Sequence, residues 1–178
     1  MNTIQIKNLT FKPYITKETL QTTVKTIAER INADYRDQEV LFIGMLNGAF
    51  IFAADLLKHI NLTCKISFVK MASYEGTTST GEIKEIIGLN ESVKGKHVIV
   101  VEDIVDTGLT IQTMYHTLQA QQPLSLEICT LILKPEKYDN SVPLKYVGHS
   151  ISNEFIVGYG LDYDGYGRNI ASIYQLQE

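Results

Sequence analysis

The run HVIVVEDIVDTGLT, His97 to Thr110, constrains this chain more than any other stretch of it. Val98 to Val101 is an uninterrupted apolar run, which predicts a strand covered on both faces. Two acids, Glu102 and Asp103, follow at its carboxyl end. A third, Asp106, precedes Thr107-Gly108, where a helix with the apolar face Ile111, Met114, Tyr115 and Leu118 begins. Buried strand, tight turn and amphipathic helix together make the βα unit of an α/β architecture with a mostly parallel sheet. In open sheets of that class, ligands bind at the carboxyl edge of the strands.

The remaining patterns keep to that order. Thr16 is the predicted N-cap of a helix, with an Ile15–Leu20 staple and Leu20, Val24, Ile27 and Ile31 at helical spacing. A strand over Val40 to Ile43 leads to a second helix, Gly48 to Ile60, whose predicted inner face is Phe50, Ala53, Ala54, Leu57 and Ile60. A strand over Lys65 to Met71 meets a Gly, Ser and Thr-rich stretch, Ser73 to Gly81, that reads as a mobile lid ahead of Ile83 to Ile87. Leu126 to Leu133 is a further buried strand. With no repeat or linker, residues 1–178 read as one domain around one core.

Composition narrows the partners. A net charge of −4 without any basic stripe argues against a nucleic-acid partner. No apolar run approaches the ~20 residues a membrane helix needs, and the N-terminus lacks a signal peptide's apolar core. A cytoplasmic protein is therefore expected, with Cys64 and Cys129 as buried thiols.

The carboxyl edge carries its own chemistry. Glu102 and Asp103 are placed to accept hydrogen bonds from vicinal hydroxyls such as those of a ribose, or to hold a cation. From Asp106 to Thr110 the chain enters a helix whose first N–H groups lack intrahelical partners; Thr107 and Thr110 add hydroxyl donors, and Gly108 permits close approach. Ribose acceptors beside a phosphate cradle describe a ribose 5-phosphate site. The same residues have a plainer reading, with Asp106 or Thr107 as a helix cap and Glu102 and Asp103 as solvated loop acids.

The full motif closely resembles the phosphoribosyl-diphosphate binding motif of type I phosphoribosyltransferases, and VEDIVDTG resembles its version in the hypoxanthine-guanine branch. The resemblance extends from about Val40 to Arg168. GMLNGAF, Gly44 to Phe50, is similar to the family's pyrophosphate loop, and MASYEGTTSTGEI to its closing loop, with Ser73 and Tyr74 covering the site. Lys134 in LILKPE matches the lysine that reads the purine's exocyclic oxygen. NEFIVGYGLDYDGYGR, Asn153 to Arg168, matches the purine-covering segment. The implied fold is a type I phosphoribosyltransferase core over about 37–135, with a small hood from 1–15 and 140–178.

The resemblance also implies an activity: transfer of the 5-phosphoribosyl group from phosphoribosyl diphosphate to hypoxanthine or guanine, with magnesium as cofactor and a homodimer or homotetramer as assembly. Asp106 would be the catalytic acid/base. Glu102, Asp103, Asp106, Thr107, Gly108, Leu109 and Thr110 would bind ribose and its phosphate, and Leu46, Asn47, Gly48 and Arg168 the pyrophosphate. Lys134, Phe155, Ile156, Leu161 and Asp162 would hold the purine. Asp162, Glu102 and Asp103 would be the metal ligands. Lysine demands an acceptor, so a 6-oxopurine is favoured over adenine, where a donor would leave the ammonium unpaired at a cost of about 1–3 kcal/mol.

Two positions depart from the family pattern: Asn47 and Leu109 stand where lysines are common, leaving those contacts to the main chain. The family often carries a non-proline cis peptide in this loop, and the sequence leaves open whether Leu46-Asn47 is one. Taken singly, several residues have structural readings: Phe155 and Leu161 as core, Lys134 as an exposed strand-end lysine, Arg168 as a surface charge. His149 is the histidine nearest the expected base pocket. A regulator of the same fold that binds nucleotides and RNA without salvage activity is the leading alternative, and a Rossmann-type enzyme is disfavoured because no GxGxxG follows a strand.

Overall fold

The computed structural model describes residues 2–73 and 83–177. The chain opens with β1 (Ile4–Ile6) and β2 (Leu9–Ile15), followed by α1 (Lys17–Asp34). Next come β3 (Val40–Leu46), α2 (Phe50–Leu57), β4 (Cys64–Ser73) and β5 (Ile83–Ile87). Then β6 (His97–Val105), α3 (Leu109–Gln119), β7 (Ser125–Leu133), β8 (Tyr146–Ser150), β9 (Ile156–Val157) and β10 (Ile173–Leu176) complete the order. Thr16 caps α1 as expected, its hydroxyl accepting from the Thr19 N–H at 3.2 Å.

Two sheets result. The larger has the order β5-β4-β3-β6-β7-β8, parallel throughout except for β5, which runs antiparallel to β4. The smaller, β1-β2-β10-β9, joins the two chain ends into an antiparallel hood with its own cluster of Ile6, Phe11, Val157 and Tyr174. β8 falls in the stretch assigned to the hood from sequence, yet it pairs with β7. Gly148 explains the fit: a Cβ there would come 2.5 Å from the Leu131 carbonyl, so only glycine lets the strands close up.

Strand alternation divides the core. Val40, Phe42, Ile99 and Val101 pack with α1 and α2, while Leu41, Ile43, Val98 and Val100 pack with α3. Each face is covered, which is why these strands read as unbroken apolar runs. Burying an aromatic or branched side chain such as Phe42, Phe52 or Ile99 contributes about 1.5–3 kcal/mol against exposure.

The inner face of α2 differs from the expected one. Phe52, Ala53 and Leu56 are buried, whereas Phe50 and Ala54 are exposed. Gly44 lets α2 lie close on β3, the space where its Cβ would stand being 3.7 Å from the Ala53 Cβ and against the Phe68 ring. Ser73 closes β4, opposite Ile83. Tyr74 and the rest of the expected lid up to Gly81 lie outside the described residues.

Candidate active site

β6 runs further than its apolar stretch, and this decides the site. The strand continues through Glu102 and Asp103 to Val105, so both acids are built into the sheet with 8% exposure each; they are neither solvated nor in a loop. Alternation gives them different neighbours, while Glu102 Oε1 still accepts from the Asp103 N–H at 3.3 Å and the two carboxyls stay within hydrogen-bonding reach of each other. Glu102 lines a cavity of about 100 Å³ on the α3 side, together with Ile104 to Ile111. Asp103 instead abuts Gly48 in the loop ahead of α2, so tightly that a Cβ on Gly48 would overlap its carboxylate. Burial, and then the neighbouring Asp103 charge, pushes the Glu102 carboxyl well above the usual carboxylate range. Burial also raises Asp103, opposed by hydrogen bonds and by the Arg168 charge.

The turn after β6 is an uncapped helix entrance. Gly108 is the N-cap residue of α3 at φ 87°, and no side chain bonds the first N–H groups. The capping reading of Asp106 and Thr107 is therefore set aside. Thr107, Leu109 and Thr110 are exposed around this cradle. Left-handed backbone and a close neighbour both demand glycine here, since a Cβ on Gly108 would stand 2.5 Å from the Tyr138 ring.

Asp106 meets cations from the end of β7. Lys134, only 5% exposed, donates to its Oδ2 at 3.1 Å, and Lys137 lies 3.3 Å from Oδ1. Lys134 is thus not an exposed strand-end residue; its N–H also bonds the Val105 carbonyl at 2.9 Å. Burial acts to raise the Asp106 carboxyl, but the Lys134 hydrogen bond and the charges of the two lysines outweigh it and hold the group below the ordinary aspartate value.

The hood supplies the remaining residues. Phe155 is 43% exposed, its ring tilted against Phe11 at 6.1 Å and edge-on to Tyr163 at 5.9 Å, so one aromatic surface stays open. Ile156 is buried in β9. Leu161 packs in the core, and its N–H and carbonyl both pair with Gly158, so it offers a base a wall and no free polar group. Arg168 is no free surface charge: it donates to the Gly160 carbonyl at 2.8 Å and pairs with Asp162 at 2.6 Å. Gly160, at φ 101°, presses on the Gly48 carbonyl, and Tyr159 donates to Asp55 on α2 at 2.7 Å. Hood, the loop at Gly48 and Asp103 are thereby in contact. Leu46-Asn47 is a cis peptide, and Asn47 is exposed beside it.

A match to the phosphoribosyl transferase domain covers residues 16–164. The chain belongs to the phosphoribosyl transferase family. Within this family it is 39% identical over 160 residues to the hypoxanthine-guanine phosphoribosyltransferase of Staphylococcus epidermidis, spanning 89% of each chain. A crystal structure of a Bacillus anthracis hypoxanthine-guanine phosphoribosyltransferase superposes with a TM-score of 0.84 at 38% identity, covering 94% of this chain and 97% of that one. A variant of the Trypanosoma cruzi hypoxanthine phosphoribosyltransferase, solved as a ternary substrates complex, gives 0.86 at 35% identity over 93% and 95%. The type I phosphoribosyltransferase fold, a parallel sheet flanked by helices, accordingly describes this molecule.

For a phosphoribosyl transferase, some expected groupings form and others do not. Asp106 and Lys134 come together, as do Glu102 and the Thr107 to Thr110 loop. Asp162 does not join Glu102 and Asp103: its oxygens hold Arg168 and the Gly165 N–H, and no cluster of three acidic, His or Cys ligands exists among the described residues. His149 belongs to the scaffold, bonding Thr23 of α1 at 2.8 Å, with burial lowering its pKa. Lys137, Tyr138 and the Tyr159–Asp55 bond carry no sequence signal, because each depends on a turn or a long-range approach.

The hood-to-loop contact is testable by stability. Gly160→Ala combines a left-handed backbone with overlap on Gly48, whereas Gly165→Ala has the backbone cost alone, about 1–2 kcal/mol, in open space. Overlap adds about 1–3 kcal/mol more to Gly160→Ala. Urea midpoints measured at constant m value read the difference, and equal losses for the two variants would contradict the contact.

Proposed function

We propose that this protein is a purine-salvage enzyme, a hypoxanthine-guanine phosphoribosyltransferase that moves the 5-phosphoribosyl group from phosphoribosyl diphosphate to hypoxanthine or guanine, releasing pyrophosphate with IMP or GMP. The observation that carries this reading is the buried Lys134 ammonium on Asp106, at the wall of the cavity that Glu102 and the Thr107 to Thr110 loop enclose. It sets a reader of a 6-oxo group and a proton acceptor side by side next to an anion cradle.

In this reading the main-chain N–H groups and hydroxyls of Thr107 to Thr110 bind the 5-phosphate, helped by the positive end of α3. Leu109 contributes through its N–H. Glu102 accepts from the ribose hydroxyls. The Leu46-Asn47-Gly48 main chain and Arg168 meet the pyrophosphate, with Asp103 behind Gly48. Phe155 stacks on the purine, Ile156 bonds its edge through the main chain, and Leu161 and Asp162 close the pocket. Ser73 and Tyr74 belong to the loop that excludes water from the oxocarbenium-like state.

A magnesium ion fits the donor set: buried, mutually repelling carboxylates call for a cation, and Mg²⁺ characteristically takes only one or two carboxylates plus substrate oxygens. Glu102 and Asp103 would hold it directly or through water, while Asp162 stays engaged by Arg168 and the Gly165 N–H. When bound, it neutralises charge on the departing pyrophosphate.

Lys134 then has two successive partners. In the free protein it bonds Asp106 Oδ2; a purine O6 competes for it, and each hydrogen bond lost by the carboxylate makes Asp106 a stronger base. Base binding and proton acceptance are coupled through one side chain.

Leu46, Phe50 and Phe68 form an exposed apolar patch on the α2 side, suited to a homodimer or homotetramer, and a cytoplasmic location suits a fold in which no described helix is long and apolar enough to cross a membrane. Sedimentation equilibrium of the protein carrying Phe50→Glu should show a lower mass than wild type; identical masses would move the interface elsewhere.

Incubation with magnesium, phosphoribosyl diphosphate and each of hypoxanthine, guanine, xanthine and adenine should yield nucleotide from the 6-oxopurines; no nucleotide from any base defeats the enzyme reading. Asp106→Asn should lower kcat by roughly 10²–10⁴ while leaving donor affinity within a few-fold, as expected for a general base. Lys134→Ala should erode selection against adenine, and unchanged selectivity would assign the O6 contact to another group.

A further inference from the structure

The five residues after β7 form a device around Asp106 that the reaction scheme above does not use in full. Lys134 closes a turn by accepting from the Lys137 N–H at 3.1 Å and the Tyr138 N–H at 3.2 Å. That turn docks on the Asp106 to Gly108 segment at several points. Lys134 reaches Oδ2, Lys137 reaches Oδ1, and the buried Tyr138 ring fills the space over Gly108 that a side chain would need. Tyr138 is itself fixed, its hydroxyl bonding the Val142 carbonyl and accepting from the Val142 N–H at 3.0 Å.

The two lysines differ in what ligand binding asks of them. Lys134 is buried and gives up Oδ2 when a 6-oxopurine arrives. Lys137 is 41% exposed at the side chain and has no such competing duty. The oxygen it faces is buried and accepts no hydrogen bond among the described residues, so the ammonium 3.3 Å away is what answers that end of the carboxylate. Other charged groups nearby are acidic: Glu102 shares the cavity, and Asp139 stands beyond the Tyr138 ring, 3.9 Å from where a Gly108 Cβ would be. Neither can orient Asp106.

We propose that Lys137 is the positioning residue of this site, holding Asp106 by Oδ1 so that Oδ2 stays aimed at the base once Lys134 has transferred to the purine. Without it, Asp106 loses its second anchor at the moment its first is taken. The proposal rests on Asp106 being the proton acceptor.

The test uses the full-length protein with Lys137→Met and Lys137→Arg. Lys137→Met should keep the thermal midpoint and the KM for phosphoribosyl diphosphate, since it touches neither core nor donor, while kcat with hypoxanthine falls roughly tenfold, a part of what a general base contributes. In protein labelled at aspartate Cγ, with the Asp106 signal assigned by its loss in Asp106→Asn, the titration of the free protein should move up by about 0.5–1 pH unit in Lys137→Met, reduced from the full ion-pair effect by partial exposure. Lys137→Arg should restore both. A Lys137→Met protein with wild-type kcat and an unmoved Asp106 titration overturns the proposal. Should Asp106→Asn itself turn over at the wild-type rate, the fault lies with the acid/base reading of Asp106 and not with Lys137 alone.

Discussion

Placing two carboxylates inside the carboxyl edge of a parallel sheet is the constraint that the rest of this site answers. An uncompensated buried ion costs several kcal/mol, so Glu102 and Asp103 leave the unliganded molecule electrostatically unsatisfied. Around them stand the uncapped N-terminus of α3, the glycine at Gly48 that lets the main chain come against Asp103, and Arg168 acting from the hood. In the proposed reading, a ligand rich in hydroxyls and phosphate, arriving with a cation, would supply what the fold withholds. Stability has been given up at the place where binding recovers it.

Asp106 shows the opposite balance. It is the acid with cations already in place, and the β7 turn brings both of them. In the proposed reading, keeping it ionised at rest and freeing one oxygen when a purine binds would separate two demands that otherwise conflict: a carboxylate that is always charged, and a base strong enough to take a purine proton. The arrangement needs a lysine that can change partner and another that does not.

The fold was legible because both-face burial leaves a plain mark: the Val98 to Val101 run and the alternation in β3 translate directly into layers. Less legible was the depth of Glu102 and Asp103, since only a strand that continues two residues past its apolar run buries both acids inside the sheet edge. The inner face of α2 differs from the expected one because the helix runs only over Phe50–Leu57, too short for a periodicity drawn over Gly48 to Ile60 to fix it. β8 was drawn into the hood because a short strand with Gly148 and His149 lacks an apolar run. Resemblance singles out Lys134 and Asp106 separately, but their contact, and that of Lys137 with Asp106, exists only once the turn after β7 folds back over the one after β6.

The handover of Lys134 is the centre of this account, and a structure determined with magnesium, an unreactive analogue of phosphoribosyl diphosphate and hypoxanthine tests it most directly. Lys134 Nζ is expected within hydrogen-bonding distance of the purine O6 and withdrawn from Asp106 Oδ2, with Lys137 still at Oδ1. A purine bound with Lys134 remaining on Asp106, its O6 satisfied by another group, would contradict it.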